Sequence, residues 1–271
     1  MKLGYIDYLN CYPFYYHMFE YRPLKGVEVI SRYPSDLNRM MVKGELDMSA
    51  ISAATYSLIQ DRALLLPDFC LSSIGYVGSV ILRSYLPIEE LDKKKVGLTS
   101  ASHTSVLLLR MLLKSYYNVE PEYVPTKPNP SMDGLDAVLM IGNEAMLRSS
   151  TPVSFSYDLG ELWLRKTGFP VVFALFAVRE EIIDKYCNEI TSVIRSYRDS
   201  IECLEKEVHK VVEAAQEKYP DITYDVKGYY ETCLQFKFSD RLKQALQFYY
   251  DKAFEMGLFE DKVKIRYLDQ I

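Results

Sequence analysis

The chain has 271 residues, of which 49% are hydrophobic and 25% are charged, as in an ordinary soluble protein with one large or two medium domains. Its net charge of −5 argues against a general nucleic-acid-binding protein, which usually has a basic balance. No apolar stretch approaches the length of about 20 residues that a membrane span needs, and the N-terminus lacks a signal-peptide pattern. We therefore expect a cytoplasmic protein that binds neither nucleic acid nor membranes.

The chain opens on a strand, a polar break and a helix. Residues 4–6 predict a buried strand, the break runs from Asp7 to Asn10, and an aromatic helix follows Pro13. Backbone N–H groups at such a helix start favour anions, so Asn10 is either a turn residue or a functional group, and the local residues favour the turn. The next elements are, in order, a strand at 26–32, a helix from Ser35 to Gly44 and a strand at 47–51.

A second βα unit is predicted in the middle of the chain. It consists of a strand at 96–99, a hydroxyl-rich loop at 100–105 and a largely apolar helix at 106–117. Beyond it, apolar runs predict buried strands at 137–141 and 169–178. The remaining elements are helical, with a long helix to about Tyr219 and shorter helices at 228–235 and 240–256.

This alternation of strands and helices predicts an α/β protein with two lobes that are joined by two crossovers. We expect lobe 1 to contain residues 1–85 and 173–271, including the helical C-terminus, and lobe 2 to contain residues 86–172. Such an arrangement places a cleft between the lobes, where ligands usually bind.

Metal and cofactor chemistry find little support in the residue types. Five cysteines are widely scattered without a C-x-x-C pair, which predicts free thiols in a reducing compartment. The three histidines lie far apart, and the sequence has no H-x-x-x-H pair, no phosphate-binding glycine loop and no G-x-S-x-G motif. We therefore expect neither a metal site nor a cofactor, and no feature of the sequence indicates an oligomeric state.

Polar loops that end a strand and open a helix are the strongest candidates for a binding site. They gather at the carboxyl edge of an open α/β sheet and offer hydroxyls, amides and helix N-termini, which suit carboxylates. Taken singly, each loop is more simply explained as a helix cap, but residues 99–105 hold more hydroxyls than one cap requires. The residues alone thus predict a two-lobed protein that binds a small anionic metabolite, without identifying a reaction.

Six segments carry a resemblance to a known family. They are, in chain order, DYLNCYPF, GELDMSAISAATY, GYVGSVIL, VGLTSASHTSVLLLRMLL, DAVLMIGNEAM and YDLGELWLRKTGFPVVFALFAV. In order and approximate spacing they resemble the chorismate dehydratase (MqnA) family of the futalosine route to menaquinone. The chain departs from that family's pattern at several positions, including Gly78 and Asn143, which alter the charge near the cleft. The resemblance implies an α/β, two-lobed, type II periplasmic-binding-protein-like fold with an inter-lobe cleft.

The same resemblance implies a lyase that removes water from chorismate to give 3-[(1-carboxyvinyl)oxy]benzoate in menaquinone biosynthesis. Asn10 would then be catalytic, positioning the departing hydroxyl or a substrate carboxylate that serves as the base. With the hydroxyl-rich loop included, the expected substrate-binding residues are Ser52, Ser79, Ser100, Ser102, Thr104, Ser105 and Asn143. Two alternatives stay open, a cytoplasmic small-anion-binding protein or sensor of the solute-binding fold, and the related futalosine-pathway enzyme that acts on cyclic dehypoxanthinyl futalosine.

Overall fold

The computed structural model describes residues 1–147 and 152–269, and within them the strands form two separate sheets. The first sheet has the order β11-β4-β10-β3-β1-β2, with β1 (Lys2–Ile6), β2 (Glu28–Arg32), β3 (Met48–Ser52), β4 (Ala63–Ser73), β10 (Val171–Arg179) and β11 (Gln235–Lys237). The second sheet has the order β7-β6-β8-β5-β9, with β5 (Val80–Ser84), β6 (Lys95–Thr99), β7 (Glu122–Thr126), β8 (Ala137–Ile141) and β9 (Phe155–Asp158).

Both sheets combine a parallel half with an antiparallel half. In the first sheet β1 pairs in parallel with β2 and β3, while β10 runs antiparallel to both β3 and β4. In the second sheet β6 pairs in parallel with β7 and β8, and β5 runs antiparallel to β8 and β9. The strands β3 and β8 are buried along their whole length, as expected for strands covered on both faces. The loops after β1, β3 and β6 therefore lie at carboxyl edges.

Helices cover both sheets. The α-helices are α1 (Tyr12–Glu20), α2 (Pro34–Lys43), α3 (His103–Leu112), α4 (Asn143–Met146), α5 (Leu159–Thr167), α6 (Cys187–Lys206), α7 (Val208–Lys218), α8 (Val226–Gly228) and α9 (Asp240–Glu255). The 3₁₀-helices span Ala53–Leu58, Ile88–Glu90 and Glu180–Ile182, and single π-helical turns span Leu113–Tyr117 and Tyr229–Cys233. Among the described residues, we find no helix that is both long and apolar enough to cross a membrane.

Most predicted element bounds shift by a few residues, and three differences have a clear physical basis. Helix α2 begins at Pro34 and not at Ser35, since proline fits the first helical turn, and Tyr33 precedes it without a side-chain cap. The long C-terminal helix is broken at Glu207, whose φ of −139° and ψ of 46° lie outside the helical region. The predicted helix at 228–235 is a π-helical turn followed by strand β11, which pairs with β4.

The sheets show where the chain passes between the lobes. Strand β5 pairs with β8 and β9, so Val80–Ser84 lies in the second sheet, although the sequence placed residues 1–85 in lobe 1. We propose that the chain crosses to lobe 2 at residues 74–79 and returns at 168–170, just before β10. Residues 148–151 of the predicted lobe 2, and 270–271 of lobe 1, lie outside the described residues.

Aromatic residues fill the contact between the second lobe and the C-terminal helix. Trp163, the single tryptophan of the chain, is fully buried on α5. Its ring centroid lies 5.9 Å from that of Phe248 and 6.3 Å from that of Tyr249, both on α9. Helix α9 in turn packs on β10 of the first sheet, so this cluster stabilises the junction between the two lobes.

Candidate functional site

A cavity of about 50 Å³ lies between the two sheets. This volume corresponds to a few water molecules, so the cleft between the lobes is nearly closed in this structure. Residues from both lobes line it. Five of the residues predicted for the site are among them, namely Asn10, Ser52, Ser79, Ser102 and Ser105. The polar groups of this wall are amides and hydroxyls, set among apolar side chains such as Val80, Phe173 and Leu234.

Asn10 follows β1 and is held by its neighbour. The backbone N–H of Leu9 donates to Asn143 Oδ1 at 2.8 Å, and the hydroxyl of Tyr230 donates to the carbonyl oxygen of Leu9 at 2.8 Å. Asn10 Oδ1 is itself buried, and no hydrogen-bond partner for it occurs among the described residues. A buried amide oxygen without a partner is rare in proteins and is a group that a ligand can satisfy.

Ser79 ends the first crossing between the lobes, and two buried groups hold it. The Tyr229 hydroxyl donates to Ser79 Oγ at 2.7 Å. Asp158 accepts hydrogen bonds from the backbone N–H groups of Val77 and Gly78, at 3.1 Å and 2.7 Å. Burial raises the pKa of the Asp158 carboxyl, and these N–H groups oppose the rise. The carboxylate therefore fixes the backbone that carries Ser79.

The first turn of α3 supplies two more hydroxyls to the cavity. Ser102 is the N-cap, and its Oγ accepts the backbone N–H of Ser105 at 3.1 Å. The Ser102 hydroxyl also donates to Ser105 Oγ at 3.1 Å. Both side chains lie at the positive end of the helix dipole, where an anionic group is stabilised.

Ser52 reaches the cavity from the end of β3 and is fixed by an amide. Its Oγ accepts from Asn38 Nδ2 at 3.0 Å, and its backbone N–H donates to Asn38 Oδ1 at 2.9 Å. The Ser52 proton is not committed in this pair, because the hydroxyl acts as the acceptor. Ser52 can therefore donate to a bound molecule.

The structure does not bring the remaining predicted binding residues to the cavity wall. Ser100 is exposed and lines a neighbouring surface groove with Thr55 and His103. The Thr104 hydroxyl is buried and fully used, since it accepts the backbone N–H of Ala54 at 3.0 Å and donates to the Phe173 carbonyl oxygen at 3.1 Å. Successive residues of a helical turn point in different directions, which separates the hydroxyls that the sequence grouped together.

Asn143 also lies away from the cavity, at the first residue of α4, where it accepts from Leu9. Beside it, the Tyr8 hydroxyl of lobe 1 donates to Glu144 Oε1 at 3.2 Å, and burial raises the pKa of the Glu144 carboxyl. Gly142 lets the two lobes meet, because a Cβ on it would lie 2.7 Å from the Tyr8 ring. Residues 142–144 thus fasten the loop that carries Asn10.

His103 faces Thr55 and not the cavity, with Nδ1 at 3.4 Å from the Thr55 hydroxyl. Burial, and then the positive charge of Arg110, lower the pKa of His103. A neutral imidazole at pH 7 does not attract an anion, so this ring is not part of the anion-binding group. Within residues 1–147 and 152–269, no three histidine, cysteine or acidic side chains are placed to hold a metal ion.

Sequence reasoning missed the tyrosines that support the site. Tyr229 and Tyr230 contact the two polar walls, yet Tyr229 lies 150 residues from Ser79, and Tyr230 lies 221 residues from Leu9. Their only local signal is a pair of adjacent tyrosines in a predicted helix. Tyr8 and Asp158 were missed for the same reason, because their partners are far away along the chain.

Two α/β lobes around a cavity lined by uncharged donors define the two-lobed periplasmic-binding-protein fold. Solved structures agree with that fold. A protein from Archaeoglobus fulgidus superposes with a TM-score of 0.76 at 19% identity, covering 95% of this chain and 97% of that one. The alkanesulfonate-binding protein SsuA from Xanthomonas axonopodis pv. citri, solved with MOPS, gives 0.66 at 13% identity, covering 97% and 95%.

The sequence is more specific than the fold. The chain belongs to the menaquinone biosynthesis family, whose model matches residues 1–255. It is 33% identical over 198 residues to the chorismate dehydratase of Thermus thermophilus, which covers 66% of this chain and 70% of that protein. The 1,4-dihydroxy-6-naphtoate synthase of the same organism is 23% identical over 159 residues, covering 59% of this chain and 58% of that protein.

Proposed function

We propose that this protein is a chorismate dehydratase, a hydro-lyase that converts chorismate to 3-[(1-carboxyvinyl)oxy]benzoate and water in menaquinone biosynthesis. Membership of the menaquinone family and the likeness to the Thermus thermophilus enzyme support this proposal. The observation that carries it is the inter-lobe cavity, which is lined by Ser79, Ser102, Ser105 and Asn10, whose buried Oδ1 has no partner among the described residues.

The reaction removes a proton and a neighbouring hydroxyl from the substrate ring. The C–H bond breaks at the ring carbon that bears the ether oxygen, the C–O bond breaks at the adjacent carbon, and the proton and hydroxide leave as water. The ring becomes aromatic, so the overall driving force is large. The protein has to hold a dianion in one orientation and stabilise charge as the hydroxyl departs, which fixed donors accomplish.

Polar groups on both sides of the cavity have a place in this scheme. The hydroxyl of Ser105, which accepts the proton of Ser102, binds one carboxylate of the substrate with the N-terminus of α3 behind it. The amide of Asn10 both donates and accepts, so it orients the departing hydroxyl against the second carboxylate. We assign the role of base to that substrate carboxylate, because amides and hydroxyls are poor proton acceptors at neutral pH.

Incubation with chorismate, followed by mass detection of a product lighter by one water, tests the proposal. Wild-type protein should form this product, and the Asn10→Ala variant should form it far more slowly. Tight binding of chorismate without any product would contradict the enzyme and favour a binding protein, the second candidate that the likeness to SsuA suggests. Turnover of cyclic dehypoxanthinyl futalosine in place of chorismate would favour the sister activity.

A further inference from the structure

We propose that Tyr229 is a positioning residue that orients the Ser79 hydroxyl so that its proton points into the cavity. The identity of the bound molecule rests on the proposed function, but the orientation of Ser79 does not. Tyr229 lies on the π-helical turn Tyr229–Cys233 near the C-terminus, whereas Ser79 lies at the first crossing between the lobes. Single π-helical turns of this kind occur frequently at functional sites.

The hydrogen bond between the two residues has a fixed direction. The Tyr229 hydroxyl is the donor and Ser79 Oγ is the acceptor, 2.7 Å apart, and both residues are only 1% exposed. Bulk solvent therefore has little access to the hydrogen bond between them. Burial raises the pKa of Tyr229 far above its usual range, so the phenol keeps its proton and remains a donor at any physiological pH.

This direction determines what Ser79 offers to a ligand. A serine hydroxyl has one proton, and in the described part of the chain no residue accepts the proton of Ser79. Its backbone is also fixed, because the Ser79 carbonyl oxygen accepts the N–H of Gly142 at 2.8 Å. Ser79 lines the cavity, so the remaining direction for its proton is towards the bound molecule. Accepting one hydrogen bond also strengthens the bond that a hydroxyl donates.

The same π-helical turn also holds the loop that carries Asn10, on the other wall of the cavity. Tyr230 donates to the carbonyl oxygen of Leu9, directly before Asn10. Two adjacent tyrosines thus fix the two loops that carry Asn10 and Ser79. The distance between these loops is set by the C-terminal segment, which is remote from both in sequence.

A double-mutant cycle with Ser79→Ala and Tyr229→Phe tests the inference. Phenylalanine keeps the buried ring and removes only the donor, so turnover of chorismate (kcat) should fall about tenfold, with KM changed less than about threefold. Because the phenol acts through Ser79, the double variant should match Ser79→Ala within about twofold. Multiplicative losses in kcat for the two changes would overturn the inference.

Tyr15→Phe is the matched control. Tyr15 is also fully buried and donates one hydrogen bond, to the Gly4 carbonyl oxygen at 2.7 Å, but it does not line the cavity. The Tyr15→Phe variant should lose about as much thermal stability as Tyr229→Phe, while its kcat stays at the wild-type level. An equal fall in kcat for both variants would show that Tyr229 matters only for folding, and would overturn its positioning role.

Calorimetric titration with benzoate separates this inference from the proposed function. The affinity for this inert carboxylate should fall about threefold to tenfold in Ser79→Ala and in Tyr229→Phe, and no further in the double variant. The protein could fail to dehydrate chorismate while its benzoate affinity falls no further in the double variant than in the single variants. That result would refute the activity and support the inference. Absence of coupling in both benzoate affinity and turnover would refute the inference, whether or not the protein is a dehydratase.

Discussion

Asn10 is immobilised through the backbone of Leu9, while its Oδ1 has no partner among the described residues. The N–H and the carbonyl oxygen of the preceding residue, Leu9, are bound by Asn143 and Tyr230, one from each side of the loop. The cost of ordering this loop is thus met during folding, before a substrate arrives. Such prior ordering is what allows a single amide to contribute strongly in a transition state.

Two substitutions test the role of Asn10. Asn10→Ala should lower kcat on the order of 10²-fold while KM changes much less, as for the loss of one preorganised donor. Asn10→Asp should be at least as damaging, because it removes the donor and places a negative charge beside a dianion. Steady-state kinetics of both variants, with thermal melting as the control, decide the matter. Near-normal turnover of Asn10→Asp would show that Asn10 is only a turn residue, since aspartate fits a turn equally well.

His103 should make the stability of the protein depend on pH. Its folded-state pKa is lowered by burial and by Arg110, so below about pH 6.5 the unfolded chain binds a proton that the folded His103 resists. The free energy of unfolding should therefore fall as the pH drops below that value, and His103 should contribute no slope at higher pH. Urea unfolding at a series of pH values measures this. The slope attributable to His103 should disappear in His103→Gln, and an unchanged slope would contradict the assignment.

At the scale of elements, two adjacent residues in the first turn of α3 carry hydroxyls with different roles. Thr104 connects Ala54 to Phe173 across buried backbone, whereas Ser105 faces the cavity. The same local sequence therefore supplies one structural hydroxyl and one that contacts a ligand.

Thr104→Val should mainly lower stability, and Ser105→Ala should mainly weaken chorismate binding. Valine keeps the shape of threonine but leaves a buried N–H and a buried carbonyl unpaired, so the free energy of unfolding should fall by about 1–3 kcal/mol. Ser105→Ala should instead weaken chorismate binding about threefold to tenfold and affect unfolding less. Denaturant unfolding and equilibrium titration of both variants compare the two effects. Weaker binding in Thr104→Val than in Ser105→Ala would reverse the assignment.

The elements were predictable where burial follows a local period. Strand β8 is a continuous apolar run, and Gly44 ends α2 with a φ of +72°, as its position in the sequence indicated. The break at Glu207 was not predictable, because the apolar spacing continues through it. The division of the hydroxyl loop and the contacts of Tyr229 depend on packing between distant segments, which periodicity does not encode.

At the scale of the whole molecule, the loop before α1 is also a fastening between the lobes. The Leu9–Asn143 and Tyr8–Glu144 hydrogen bonds both join residues after β1 to residues after β8. These two bonds therefore hold the lobes together on the side of Asn10 and also order its loop.

Asn143→Ala should shift the molecule towards an open form. Removing the acceptor of the Leu9 N–H should increase the radius of gyration in small-angle X-ray scattering, and saturating chorismate should reverse part of the increase. The matched control is Asn188→Ala, an exposed asparagine on α6, which should leave the profile unchanged. Identical scattering from Asn143→Ala and wild type would mean that the other contacts alone keep the lobes closed.

Trp163 gives the molecule an intrinsic optical reporter. Its indole is buried against Phe248 and Tyr249 at the junction between the lobes, and it is the single tryptophan beside 23 tyrosines. Selective excitation of tryptophan therefore yields light from one known position. Separation of the lobes would admit water to the indole and move its emission to longer wavelength. Stopped-flow fluorescence on the unlabelled protein should consequently record opening and closing in real time.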